Sequence, residues 1–149
     1  MTSQEIISRL PYQEPFLFVD EISKITNDGI MGSYIFKENA FFYHGHFKDH
    51  PVTPGVILTE TMAQIGVVCL GIYLMKETIS QNSNPQIALT SHQVDFFLPV
   101  EPGERVIVHS EKIYFRFNKL KCKVRLFNAN NELACRGTIS GMIKPQKHE

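Results

Sequence analysis

The stretch VILTETMAQIGVVCLGIYLM, residues 56–75, decides the fold. At 1.5 Å of rise per residue a helix of this length spans about 30 Å, and its apolar residues fall on nearly every side. Such a helix is enclosed by other structure rather than laid on a surface. Thr59, Glu60, Thr61 and Gln64 interrupt it with groups that a membrane span tolerates badly, so it reads as the core helix of one folded unit. Gly66 and Gly71 lower its intrinsic helicity, which implies close approach of neighbouring backbone or side chains at those two points.

On both sides the period changes from helix to strand. Upstream, residues 3–9 predict a short helix, and 15–26 and 29–39 predict two strands paired as a hairpin across Asn27-Asp28-Gly29, residues that tolerate positive φ. Downstream of the polar link 76–85, strands are expected at 86–100, 104–117, 119–128 and 133–143. The third of these alternates strictly: Leu120, Cys122, Val124 and Leu126 take one face, Lys119, Lys121, Lys123 and Arg125 the other. The sum is an α+β arrangement of about six strands in a mostly antiparallel sheet curled around one long helix, a single domain over 1–149. One helix cannot cover such a sheet and its edges, so a dimer is expected.

Fifteen basic residues balance fifteen acidic ones, which argues against a general nucleic-acid binder. Cys69, Cys122 and Cys135 are widely spaced in apolar or alternating runs and read as buried thiols of a reducing compartment. The start MTSQEIISRL lacks the layout of a secretory signal, and the cytoplasm is the expected location.

The chemistry gathers in YHGHFKDHPVTPG, residues 43–55, where three histidines, two prolines and two glycines precede the helix. Histidine exchanges protons near neutrality, which makes His46 and His44 candidates, with His50 a third. His44 and His46 point the same way if the segment is extended. Glu60 enters the first turns of an apolar helix, where a carboxylate must be paired, protonated or turned to a polar cavity. Gln64, one turn on, is placed to hydrogen-bond it. Gly55 lies where helix N–H groups have no acceptor, and without a side chain it lets a ligand oxygen reach them. Base, acid and polarising donor together suit removal of a proton beside a carbonyl. Each also has an ordinary reading, as a satisfied histidine or an ion-paired acid, although Glu60 has no Lys or Arg in its own turn. The spacing H-x-H-x₃-H lacks the logic of a helical zinc motif, so no metal is expected.

Three stretches resemble the β-hydroxyacyl-acyl carrier protein dehydratases: LPYQEPFLFVDEI (10–22), GHFKDHPVTPGVILTETMAQ (45–64) and VDFFLPVEPGERV (94–106). The fourteen-residue interval from His46 to Glu60, with Pro-Gly-Val between, is the specific part. The resemblance implies a hot-dog fold and a hydro-lyase forming trans-2-enoyl thioesters in fatty-acid or specialised polyene synthesis. It implies a homodimer at minimum, with hexamers as trimers of dimers. It makes His46 the catalytic histidine, Glu60 the catalytic acid supplied by the opposite subunit, and Gly55 the thioester-polarising N–H. It implies no bound cofactor, the acyl chain arriving on the phosphopantetheine arm of acyl carrier protein.

The chain departs from the family pattern at several points. Tyr12 stands where a histidine is common, and Lys48 replaces a proline. His44 is unusual beside the motif and is a candidate tunnel-side group together with Phe47 and Gln64. Phe97 and Leu98 take positions that are commonly basic where the carrier docks, leaving Lys119, Lys121, Lys123 and Arg125 as the alternative docking stripe. Two rivals remain at this level: a hot-dog thioesterase using Glu60 to activate water, and a noncatalytic carrier-binding subunit.

Overall fold

The computed structural model describes residues 1–78 and 85–144; the expected polar link 76–85 lies largely outside them. Helix α1 (Ser3–Ser8) is capped by the Thr2 side chain, which accepts from Glu5 N–H. Strands β1 (Glu21–Thr26) and β2 (Gly29–Ile35) follow, then the core helix α2 (Gly55–Leu74). Strands β3 (Gln86–Phe96), β4 (Arg105–Arg116), β5 (Lys119–Phe127) and β6 (Leu133–Lys144) complete one antiparallel sheet in the order β1-β2-β4-β5-β6-β3. This is the antiparallel sheet around one long apolar helix that the sequence predicts, and the hot-dog arrangement that the resemblance implies.

Helix α2 is long and apolar enough to cross a membrane but lies inside the fold. Met62, Ile65, Val67, Leu70 and Ile72 are fully buried against Val106 and Val108 of β4, Leu120, Cys122, Val124 and Leu126 of β5, and Ile139 of β6. Each such aliphatic side chain contributes about 1.5–3 kcal/mol through burial, so this contact dominates the stability of the fold. At Gly71 a β-carbon would lie 2.3 Å from Ile143 Cδ1, the close approach that the sequence implies there. All three cysteines are free and buried, and burial pushes their thiols up, Cys122 to about 11 and Cys135 to about 12.

The alternation at 119–127 is realised residue for residue, the apolar set inside and the basic set outside. Other expectations need correction. Residues 15–20 are not part of β1: Gln64 reaches across from α2, donating to Phe16 C=O at 3.0 Å and accepting from Phe18 N–H at 2.8 Å. Those backbone groups bond to a side chain where a ladder would have used them. The β1–β2 hairpin exists without positive φ; the Thr26 hydroxyl instead accepts from Asp28 N–H at 3.1 Å. Positive φ occurs at Phe117 and Asn118, the two-residue turn between β4 and β5. The strand expected at 86–100 stops at Phe96 because Phe97 and Leu98 N–H both turn to Ala134 C=O, and Pro99 has no N–H to offer. Inside α2, residues Gln64–Cys69 take π-helical hydrogen bonding, with the Ser110 hydroxyl donating to Gly66 C=O at 2.8 Å.

Candidate active site

The segment before α2 is irregular but tied at three points. Tyr43 and Thr53 hydroxyls meet at 2.6 Å, Val52 N–H donates to His46 C=O at 2.9 Å, and Thr53 N–H donates to Val100 C=O at 2.9 Å. His46 is fixed on the same residue by its ring, with Nδ1 3.0 Å from Val52 C=O. A carbonyl only accepts, so Nδ1 carries a proton, and in the neutral imidazole Nε2 is then the nitrogen with the free lone pair. Phe47 stacks on the imidazole with ring centroids 4.1 Å apart.

Gly55 is the first residue of α2, and its N–H has no acceptor within the helix. A β-carbon there would lie 3.1–3.5 Å from the ring of Phe96, so glycine keeps open a cavity of about 300 Å³ lined by Thr53, Gly55, Leu58 and Phe96 to Pro99. The aligned peptide dipoles of α2 make this end favourable for an oxygen gaining negative charge.

Glu60 accepts a hydrogen bond from Gln64 Nε2 at 3.1 Å, the bond that the one-turn spacing suggests. Gln64 is fully buried, with both N–H groups and its oxygen engaged, on Phe16, Glu60 and Phe18 respectively. Burial pushes the Glu60 carboxyl above the usual range, and the Gln64 bond pulls partly against that. Tyr12 lies within the field of Glu60: burial first, then the Glu60 charge, raises its phenol well above the ordinary tyrosine value and keeps it a neutral donor.

Within one chain these groups do not converge on one cavity. The Gly55 cavity has neither His46 nor Glu60 among its lining residues, and among the described residues His46 and Glu60 share no hydrogen bond. Five residues along a helix rotate a side chain by about 140°, so Glu60 points away from the side on which Gly55 opens. His44 closes a short 3-10 turn, Phe41–His44, and is exposed, so the extended geometry that would have aligned it with His46 is absent. His50 is exposed, 3.8 Å from Glu101. In the basic stripe Lys123 is exposed, while Lys119, Lys121 and Arg125 are half-buried. Sequence reading missed Val52, whose role is a backbone carbonyl that any side chain could carry. It also passed over Phe96, whose signal was an aromatic next to the apolar pair Phe97-Leu98.

A buried helix enclosed by an antiparallel sheet, with a histidine, a carboxylate and a bare helix-start amide around it, defines a hot-dog protein equipped for acid–base chemistry. The FabA-like domain model matches residues 10–140, and the chain belongs to that family, among its FabZ-like dehydratases. The relative named 3-hydroxyacyl-acyl-carrier-protein dehydratase FabZ from Clostridium perfringens (strain SM101 / Type A) is 34% identical over 143 residues, covering 93% of this chain and 96% of that one. Its namesake from Syntrophobacter fumaroxidans is 28% identical over 149 residues, covering 100% and 98%. Among solved structures, the dehydratase heterocomplex ApeI:P from Xenorhabdus doucetiae superposes with a TM-score of 0.79 at 13% identity, covering 99% of this chain and 93% of that one. A hypothetical thioesterase with coenzyme A from Streptococcus pneumoniae TIGR4 superposes with a TM-score of 0.64 at 12% identity, covering 97% and 95%. At these identities the two structures establish the fold.

Proposed function

We propose that this protein dehydrates a (3R)-3-hydroxyacyl group borne on acyl carrier protein to the trans-2-enoyl thioester, in the cytoplasm. The proposal is supported by relatives of that name matching along nearly the full chain. The observation that carries the residue roles is the His46–Val52 bond, which leaves Nε2 free as a base. His46 Nε2 takes the proton from C2 while Gly55 N–H holds the thioester oxygen as charge moves onto it. The C3–O bond breaks, the C2–C3 double bond forms, and the partner subunit's Glu60, in its protonated form, gives the departing hydroxyl the proton that makes it water. The raised carboxyl of Glu60 favours that form.

The two half-sites of one chain become whole sites when a second copy is added. Strand β3, eleven residues long, is an edge strand exposed along most of its length, and an edge of that kind templates further pairing. A homodimer joined there is the minimum active unit, and trimers of dimers are the larger assembly. The chemistry draws on side chains and one backbone amide, without a metal or redox cofactor. The acyl chain belongs to fatty-acid synthesis or to a specialised polyene route, and chain-length preference separates the two.

Incubation with 3-hydroxyacyl thioesters on holo acyl carrier protein, followed by intact-mass measurement, is expected to show loss of one water. His46→Ala is expected to lower kcat/KM by roughly 10²–10⁴-fold, the usual contribution of a general acid–base group. Release of free carrier thiol, or tight carrier binding with no product, would overturn the assignment.

A further inference from the structure

Beside the Gly55 cavity, on the outward face of the sheet, lies a second groove of about 220 Å³ lined by Gln93, Asp95, Lys123, Arg136, Gly137 and Thr138. Pairing register builds it from two transverse rows. Asp95, Arg136 and Arg125 lie opposite one another on β3, β6 and β5; Gln93, Thr138 and Lys123 form the next row on the same face. Three cations therefore meet two carboxylates, Asp95 at the β3 end and Glu111 opposite Lys123 on β4. Arg125 is drawn aside by Glu111 at 3.9 Å and by the Phe127 ring. Lys123 and Arg136 are exposed and form no ion pair among the described residues.

Arg136 joins this groove to the cavity. Its guanidinium lies over the ring of Phe97, 5.4 Å from the centroid, and Phe97 is part of the cavity wall. A cation held on an aromatic face keeps its position while its N–H groups remain free. Along β3, Asp95 is two residues from Phe97, about 7 Å at strand spacing. Lys119, by contrast, is six residues from Arg125 toward the far end of β5, about 20 Å further off. The basic stripe is therefore not one surface, and only its Lys123–Arg125 end lies in the rows that build the groove.

We propose that Lys123 and Arg136, supported by Arg125, form the surface that receives the acyl carrier protein, holding the phosphodiester at the root of its pantetheine arm while the arm enters beside Phe97. This rests on the dehydratase reading for the identity of the partner. An arm anchored by a phosphodiester presents fixed negative charge where it leaves its protein, and a guanidinium matches that group through paired N–H donors. Basic charge missing at Phe97 and Leu98 is thus supplied from the neighbouring strand. Pairing of a second copy along the β3 edge adds strands in the plane of the sheet and leaves this outward face uncovered.

The test compares wild type, Arg136→Glu and Lys123→Glu on one 3-hydroxyacyl group carried three ways: on holo acyl carrier protein, on phosphopantetheine and on pantetheine. The ratio of kcat/KM for the carrier-borne over the pantetheine-borne substrate is expected to fall about tenfold in each variant at about 0.05 M salt. At about 0.5 M salt the difference is expected to shrink. A fall of the same size with phosphopantetheine assigns the contact to the phosphate; a fall with the carrier alone assigns it to carboxylates of the carrier protein and overturns the phosphodiester part of the proposal. Ratios equal to wild type in both variants overturn the surface. Fluorescence anisotropy of labelled holo carrier, read without turnover, is expected to show the same weakening; equal binding by wild type and both variants overturns the proposal even for a protein that dehydrates nothing.

Discussion

Glu60 is an acid held where its charged form is disfavoured, and this leaves a mark on stability apart from any reaction. Burial raises its carboxyl in the folded protein above the ordinary glutamate value of about 4.3, so across the interval between the two the folded state binds more protons than the unfolded one. Stability contributed by this group is complete below the unfolded value and is lost as pH rises through the folded one. Glu60→Gln carries no such dependence. Its melting temperature is expected to gain on wild type as pH rises above about 4.3 and through the raised range in which the folded carboxyl ionises, the gap levelling off once it has. A thermal-unfolding series in which the gap does not widen with pH would show that Glu60 is not desolvated. The bond to Gln64 was legible from one-turn spacing; the other uses of that amide, on Phe16 and Phe18, were not, because they join residues 46 and 48 positions apart.

At the scale of elements, what the sequence reveals is what local chemistry determines. The β5 face and the extent of α2 follow from alternation and apolar length near them in the chain. The elements that differ do so through distant partners: residues 15–20 are taken from the sheet by Gln64, and the π segment of α2 is matched by Ser110 of β4. Strand β3 shows the opposite case. It reads as a strand, yet Leu89, Phe96 and most residues between them stay exposed, as suits the edge at which the homodimer is proposed to join. Leu89→Asp places a carboxylate on that edge. Burying it unpaired costs about 3 kcal/mol, so the dimer dissociation constant is expected to rise at least about a hundredfold, with turnover falling in step and the far-ultraviolet circular dichroism unchanged. Sedimentation equilibrium checks this, and an unaltered dimer would place the interface elsewhere.

At the scale of the whole molecule, the proposed mechanism turns on one chain holding two different halves of a site. Gly55 opens its cavity on one side of the start of α2, and Glu60 is turned about 140° away, bonded to Gln64 and within the field of Tyr12. In the homodimer proposed above, the two-fold axis brings His46 and Gly55 of each copy to Glu60 of the other, giving two equal sites. Neither His46→Ala nor Glu60→Gln homodimers then contain an intact site. In a mixed dimer one site combines both lesions and the other combines two unaltered halves. Random exchange makes about half of all dimers mixed, so blending the two inactive proteins under subunit exchange is expected to restore about a quarter of wild-type turnover. Restoration must follow the rate of exchange, and a covalently crosslinked pair of homodimers must show none. Activity that stays at the level of the separate mutants after complete exchange, confirmed by mass spectrometry of mixed dimers, would mean that His46 and Glu60 serve the same chain, and the shared-site mechanism would fall with it.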